Sequence, residues 1–210
     1  MKNRSLLAIL PLALLASKSA NAATLYSDLG TGSSVYAGGP GSIIQGTPFG
    51  NAIAQARPFT VAGTGTFDVT QIDLGVVYDA GNGSFLASIW TSAAGHPGAS
   101  LGSWTVTTAT ASGSSTSALV TQTGITGVTL TGGDTYFMVA SPAHLSDANK
   151  EEWESNNQGA SANIFGALNG GSWIADGSGP NAAFDVIGVP AVPEPATLAL
   201  LPLGLAGMLA

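Results

Sequence analysis

Cysteine is absent from the 210 residues of this chain. That absence rules out disulfides, thiol nucleophiles and cysteine-ligated zinc or iron–sulfur centres, so the fold is held by its core alone. Charge is scarce as well, at 8% of residues. Past residue 22 the basic side chains are Arg57 and Lys150 against twelve acids, and two minus twelve gives a formal charge of −10. Such a surface repels phosphate backbones, which excludes nucleic acid as a partner, and it offers little to anionic lipid headgroups. Long apolar runs are missing between the two ends, although 45% of residues are hydrophobic. Apolar residues alternate there with Thr, Ser, Gly and Asn, a mixture that suits half-buried strands and polar turns rather than bilayer spans of about 20 residues. Long amphipathic helical stretches and repeats of fixed period are absent too, which sets aside bundles, solenoids and propellers.

What is present begins with the ends. Lys2 and Arg4 precede the apolar segment Leu6 to Ala16, and small residues follow up to Ala20-Asn21-Ala22. This is the layout of a secretory signal peptide, with cleavage expected after Ala22 and with Ala20 and Ala22 as the small residues of the site. Residues 1–22 are thus expected to be a signal, 23–190 a single domain, and 191–210 a C-terminal signal. That last stretch contains Val192-Pro193-Glu194-Pro195-Ala196-Thr197 and then the apolar run from Leu198 to Ala210. Those last 13 residues would span about 20 Å as a helix, short of a hydrocarbon core of about 30 Å. A stable membrane span is therefore not expected from the tail as it stands.

The middle reads as strands, and the clearest signal begins at Phe59 and runs through Phe67 to Tyr78. Phe67 and Val69 alternate with polar residues, as do Ile72, Leu74 and Val76, but the two sets differ in parity. A bulge near Thr70-Gln71 would turn both sets inward. Asp79–Ser84 reads as a turn, and Phe85, Ala87 and Ile89 line one face of the next strand. Gly95-His96-Pro97-Gly98 reads as a tight turn before Leu101–Val106, and Thr131-Gly132-Gly133-Asp134 as another before Thr135–Ala140. Thr107–Ser117 reads as a surface loop or a weak edge, and His144–Gly159, the most charged window, as a helical turn or excursion loop. Strands resume near Phe165, Trp173 and Phe184. The expectation is an all-β, antiparallel β-sandwich, jelly-roll-like, with a barrel as the alternative.

The signal peptide, the soluble middle and Pro193-Glu194-Pro195 ahead of a Leu/Gly/Ala end together resemble bacterial PEP-CTERM proteins. The resemblance implies recognition, and processing near the triplet, by an exosortase-type enzyme of Gram-negative bacteria that make exopolysaccharide. The two prolines would hold the site extended and Glu194 would carry its charge. The tail would engage the membrane at least transiently, although the Arg or Lys cluster that normally closes such tails does not follow the apolar run here. The middle resembles the choice-of-anchor R domains, through Ser33–Tyr36, Gln71–Val76, Ser88-Ile89-Trp90 with Gly95 and Pro97-Gly98, and Gly133–Phe137. That resemblance implies anchoring and adds no catalytic residue.

Residue chemistry points the same way. His96 and His144 stand apart and form no metal-binding spacing. Asp68, Asp73, Asp79 and Asn82 could offer oxygen ligands to calcium, but without the spacing of a calcium loop they read as turn acids. Glu151, Glu152 and Glu154 could be imagined as glycosidase carboxylates, and read instead as a solvated charged stretch. Among the four tryptophans, Trp90 and Trp104 are expected in packing. Trp153 and Trp173, beside polar loops, are the candidates for exposure and for stacking on sugar rings. The expectation is a non-enzymatic structural or adhesive protein of the cell envelope, cell surface or extracellular matrix. The rival class is a carbohydrate-binding module for exopolysaccharide.

Overall fold

The computed structural model describes residues 21–30, 41–108 and 117–191. The signal segment up to Ala20, the Ser33–Tyr36 stretch, most of the Thr107–Ser117 loop, Pro193-Glu194-Pro195 and the apolar tail lie outside the described residues.

Thirteen strands form one continuous antiparallel sheet that curls onto itself. One layer is centred on β4 (Thr66–Gly81). On one edge β4 pairs with β13 (Phe184–Pro190) and β10 (Asn149–Trp153), and on the other with β7 (Ser117–Thr123) and β8 (Thr129–Thr131). Beyond β13 lies β1 (Ala23–Ser27), and beyond β10 lies β2 (Ser42–Gln45). The second layer runs β12 (Ile174–Pro180), β11 (Ser161–Leu168), β3 (Ile53–Thr60), β9 (Thr135–Ser141), β5 (Ser84–Ala93) and β6 (His96–Thr107). A single residue pair, Gln45↔Ile53, carries the sheet from β2 into β3. At the opposite side β6 adjoins β7 without a ladder among the described residues, so the curl is a sandwich open along one seam rather than a closed barrel.

The fold class is the one expected from the sequence, and so is its most specific local feature. Gln71 pairs with Ile187 and Val69 with Gly188, which leaves Thr70 as the extra residue of a bulge. Val69, Ile72, Leu74 and Val76 are all buried as a result. They meet Phe59, Phe85, Ile89 and Met138 of the second layer and Phe184 and Val186 of β13 in one core. Aromatic rings knit its centre: Phe59 and Phe184 lie edge to face at 5.8 Å, and Trp153 packs on Phe184 at 5.6 Å.

Four expectations are corrected. The charged window contains a strand, β10, whose inner face carries Asn149, Glu151 and Trp153. Two of those three inward residues are polar, so no hydrophobic alternation marked the strand. Glu151 on that face, and Glu154 just past the strand and bonded by Ser117, are buried rather than solvated. The tight turn of the β5–β6 hairpin is Ala94-Gly95, both with positive φ, and His96-Pro97-Gly98 already belong to β6. Finally, Phe59 ends β3 rather than starting the strand of Phe67. β3 is hard to see because Arg57 and Pro58 interrupt it; Pro58 sits past Ala56, where the pairing with β11 has stopped.

Candidate functional site

The second layer has a second, outward face, and strand parity determines what it displays. On β5 the inward set is Phe85, Ala87 and Ile89, so Leu86, Ser88 and Trp90 point away from the core. On β9 the outward set is Phe137, Val139 and Ser141, and on β3 and β11 it includes Ala56 and Phe165. Ala56, Phe137, Val139 and Phe165 are buried in a small cluster of their own, with Trp90 and Trp173 packed against it. His96, at the hairpin tip, is exposed and sets its ring on Phe165 at 5.0 Å.

Beside this cluster is a pocket of about 210 Å³ whose walls include Trp90, Trp173, Ser141, Leu145 and Ala167. The two indoles stand at right angles, 86° apart with centroids 5.8 Å from each other. No charged side chain among the described residues lines the pocket. The Trp90 Nε1–H is buried and has no acceptor among the described residues. Three of the six large hydrophobic side chains exposed on the described surface, Leu145, Leu168 and Ile174, belong to the pocket wall or to the two ends of the loop that bears Trp173.

A tight turn holds that loop in place. Leu168-Asn169-Gly170-Gly171 closes through a bond from the Gly171 amide to the Leu168 carbonyl, with positive φ at Asn169 and Gly170. Glycine is required at Gly170 by its φ of 72°, and asparagine tolerates the same region at Asn169. The Asn169 side chain accepts from the Ala52 amide at 2.9 Å and donates to the Asn51 side chain at 3.1 Å. Trp173 is thereby presented, half-buried, over Trp90.

The other tryptophan singled out for exposure behaves differently. Trp153 is 0% exposed, and its Nε1–H donates to the Ala183 carbonyl at 3.2 Å. Its ring also faces the Arg57 guanidinium at 5.8 Å. A fully buried indole with its donor satisfied is a core residue, so Trp153 is withdrawn as a sugar-stacking group. Trp90, assigned to packing by the sequence, joins Trp173 instead; the parity of Phe85, Ala87 and Ile89 was the signal that placed it outward. Trp104 packs half-buried against the core.

The acids are structural. Glu151, 0% exposed, accepts from the Asn149 amide at 2.7 Å, and burial pushes its carboxyl up to about 7 despite that bond. Burial lowers Arg57 to about 10, partly offset by Asp176. Asp185 is raised by burial and by the charge of Asp73, its cross-strand partner. Tyr26 donates to Asp28 and accepts from the Asn181 amide at 2.7 Å, and burial is the main cause that raises its phenol.

The residues weighed for calcium are spread along β4 and the turn after it. Asp68 accepts from Thr129, Asp73 from Gln71 and Thr121, and Asp79 pairs with Lys150, while Asn82 accepts from the Ser84 amide. Among the described residues no three His, Cys, Asp or Glu side chains are grouped to hold a metal ion. No helix among them is long and apolar enough to cross a membrane. Ala22 is exposed immediately before β1, whereas Ala20 and the Pro193-Glu194-Pro195 triplet lie outside the described residues.

No protein-family model, no curated protein and no solved structure matches the chain.

Proposed function

We propose that this chain is an exported structural or adhesive module of a bacterial cell envelope, cell surface or extracellular matrix. An N-terminal signal ending at Ala22 delivers it, and an exosortase-type enzyme handles it through Pro193, Glu194 and Pro195. The tail of residues 198–210 meets the membrane at least transiently. The chain has no catalytic role in this reading and takes no cofactor or nucleic acid.

The observation that supports it is how the domain uses its ionisable groups. Buried and half-buried acids accept from side chains that brace the sheet and its loops, Asp73 from Gln71 and Thr121, Glu151 from Asn149 and Asp28 from Asn181. A sandwich whose buried acids brace its own strands suits a load-carrying or spacing role.

The test is made in an exosortase-bearing host, with Pro193, Glu194 and Pro195 replaced by alanine and the chain followed by mass and by fractionation. Loss of processing and a shift between membrane, surface and medium fractions is the expected result. Unchanged processing and location would remove the sorting claim.

The second reading, a carbohydrate-binding module, is favoured by one specific observation: Trp173 does stand at a pocket, in company with Trp90.

A further inference from the structure

We infer that the pocket lined by Trp90 and Trp173 binds a single neutral pyranose ring, a terminal or side-branch sugar rather than a stretch of polysaccharide chain. The inference deepens the carbohydrate-binding reading and rests on it. It is independent of the sorting claim, which concerns a different part of the chain.

Three properties of the pocket select this ligand class. Its volume of about 210 Å³ lies below the roughly 300–1,000 Å³ of pockets for drug-sized ligands, so one ring is the natural occupant. It has no charged wall, which disfavours phosphate, carboxylate and ammonium groups as the anchored part of a ligand. Its walls nevertheless combine two aromatic surfaces with hydrogen-bonding groups. A pyranose ring matches that combination, because the axial C–H groups of one face form an apolar patch while hydroxyls project from the rim.

The roles follow from the geometry. Trp173, half-buried on a turn pinned to Asn51 and Ala52, offers ring surface for stacking. Trp90, held perpendicular to it, contributes a second aromatic surface to the pocket wall. Ser141, on the pocket wall, can donate to or accept from a second hydroxyl.

The test titrates the full chain with methyl glycosides of glucose, galactose, mannose and N-acetylglucosamine, following tryptophan fluorescence and the indole N–H resonances. Saturable binding of at least one glycoside, with a shift of the Trp90 indole resonance, is the expected result. Trp173→Ala weakens it by about tenfold or more, and Trp90→Leu, which removes the second aromatic wall, weakens it as well. Trp104→Phe leaves it unchanged. Absence of saturable binding to all four glycosides overturns the proposal, as does binding that survives both pocket substitutions. Binding of octyl glucoside without methyl glucoside also overturns it and identifies an apolar docking site instead. Every one of these outcomes leaves processing at Pro193-Glu194-Pro195 unaffected, so the two claims fail separately.

Discussion

Two tryptophans, one between the layers and one outside them, show how differently a β-sandwich can use the same side chain. Trp153 sits between the layers, 0% exposed, with its indole N–H bonded to Ala183 and its ring against Phe184. Trp173 sits outside the second layer, half-buried, with its ring set edge-on to a neighbour whose own N–H lacks an acceptor among the described residues. The interior is closed and contributes stability. The outer cluster is incomplete as packing, and an incompletely packed aromatic corner is where binding energy remains to be gained.

The widest test of that contrast is Trp153→Ala, expected to cost about 3–5 kcal/mol by opening a cavity in the core. The melting temperature should fall by about 10 °C or more. A small loss would mean that the interior tolerates the gap and that the contrast is weaker than drawn.

Next in size is the pH dependence set by Glu151, which shares the inner face of β10 with Trp153. Its folded pKa, pushed up to about 7, lies above the ordinary 4.5, so the folded state binds the extra proton. The stability this provides is fully present below about 4.5, declines as pH rises, and is gone above about 7. The change amounts to at most about 3 kcal/mol. Denaturant unfolding of the wild type across that window should show the decline, and Glu151→Gln should flatten it. An equally steep decline in the variant would remove Glu151 as its source.

Trp173→Ala should change stability by less than about 1 kcal/mol, because its ring is half-buried at the edge of a small cluster. A loss as large as that of Trp153→Ala would break the comparison outright. The smallest effect is a gain: Ala94 holds a φ of 51° in the two-residue turn that brings His96 over Phe165. Ala94→Asn should stabilise by about 0.5–1 kcal/mol, read from thermal unfolding, since asparagine adopts this conformation more readily.

The parts of the fold that were legible beforehand share a physical trait. The β4 strand carries apolar residues on its inner face over nearly its whole length, and its change of parity located the bulge at Thr70. The turn at 131–134 was legible from its glycines. β10 and β3 were not, because their inward positions hold Asn149, Glu151 and Arg57: Asn149 bonds Glu151 on its own strand, and Arg57 meets Gln55 on its own strand and Ser42 and Trp153 on others. Half of the candidate site was legible too: Trp173 was singled out, while Trp90 was misplaced although parity pointed outward. The Asn169-Gly170 pair, a strong turn signal, marks the loop that presents Trp173.

The sequence by itself determined the all-β class, the sparing use of positive charge and the alternation that builds the core. These properties depend on neighbours two residues apart, which strand geometry alone relates. Only the tertiary structure decided which polar residues are buried, which tryptophan is closed in and which is left at a pocket. Those outcomes depend on partners such as Ala183 for Trp153 or Trp90 for Trp173, brought into contact across strands far apart in the chain.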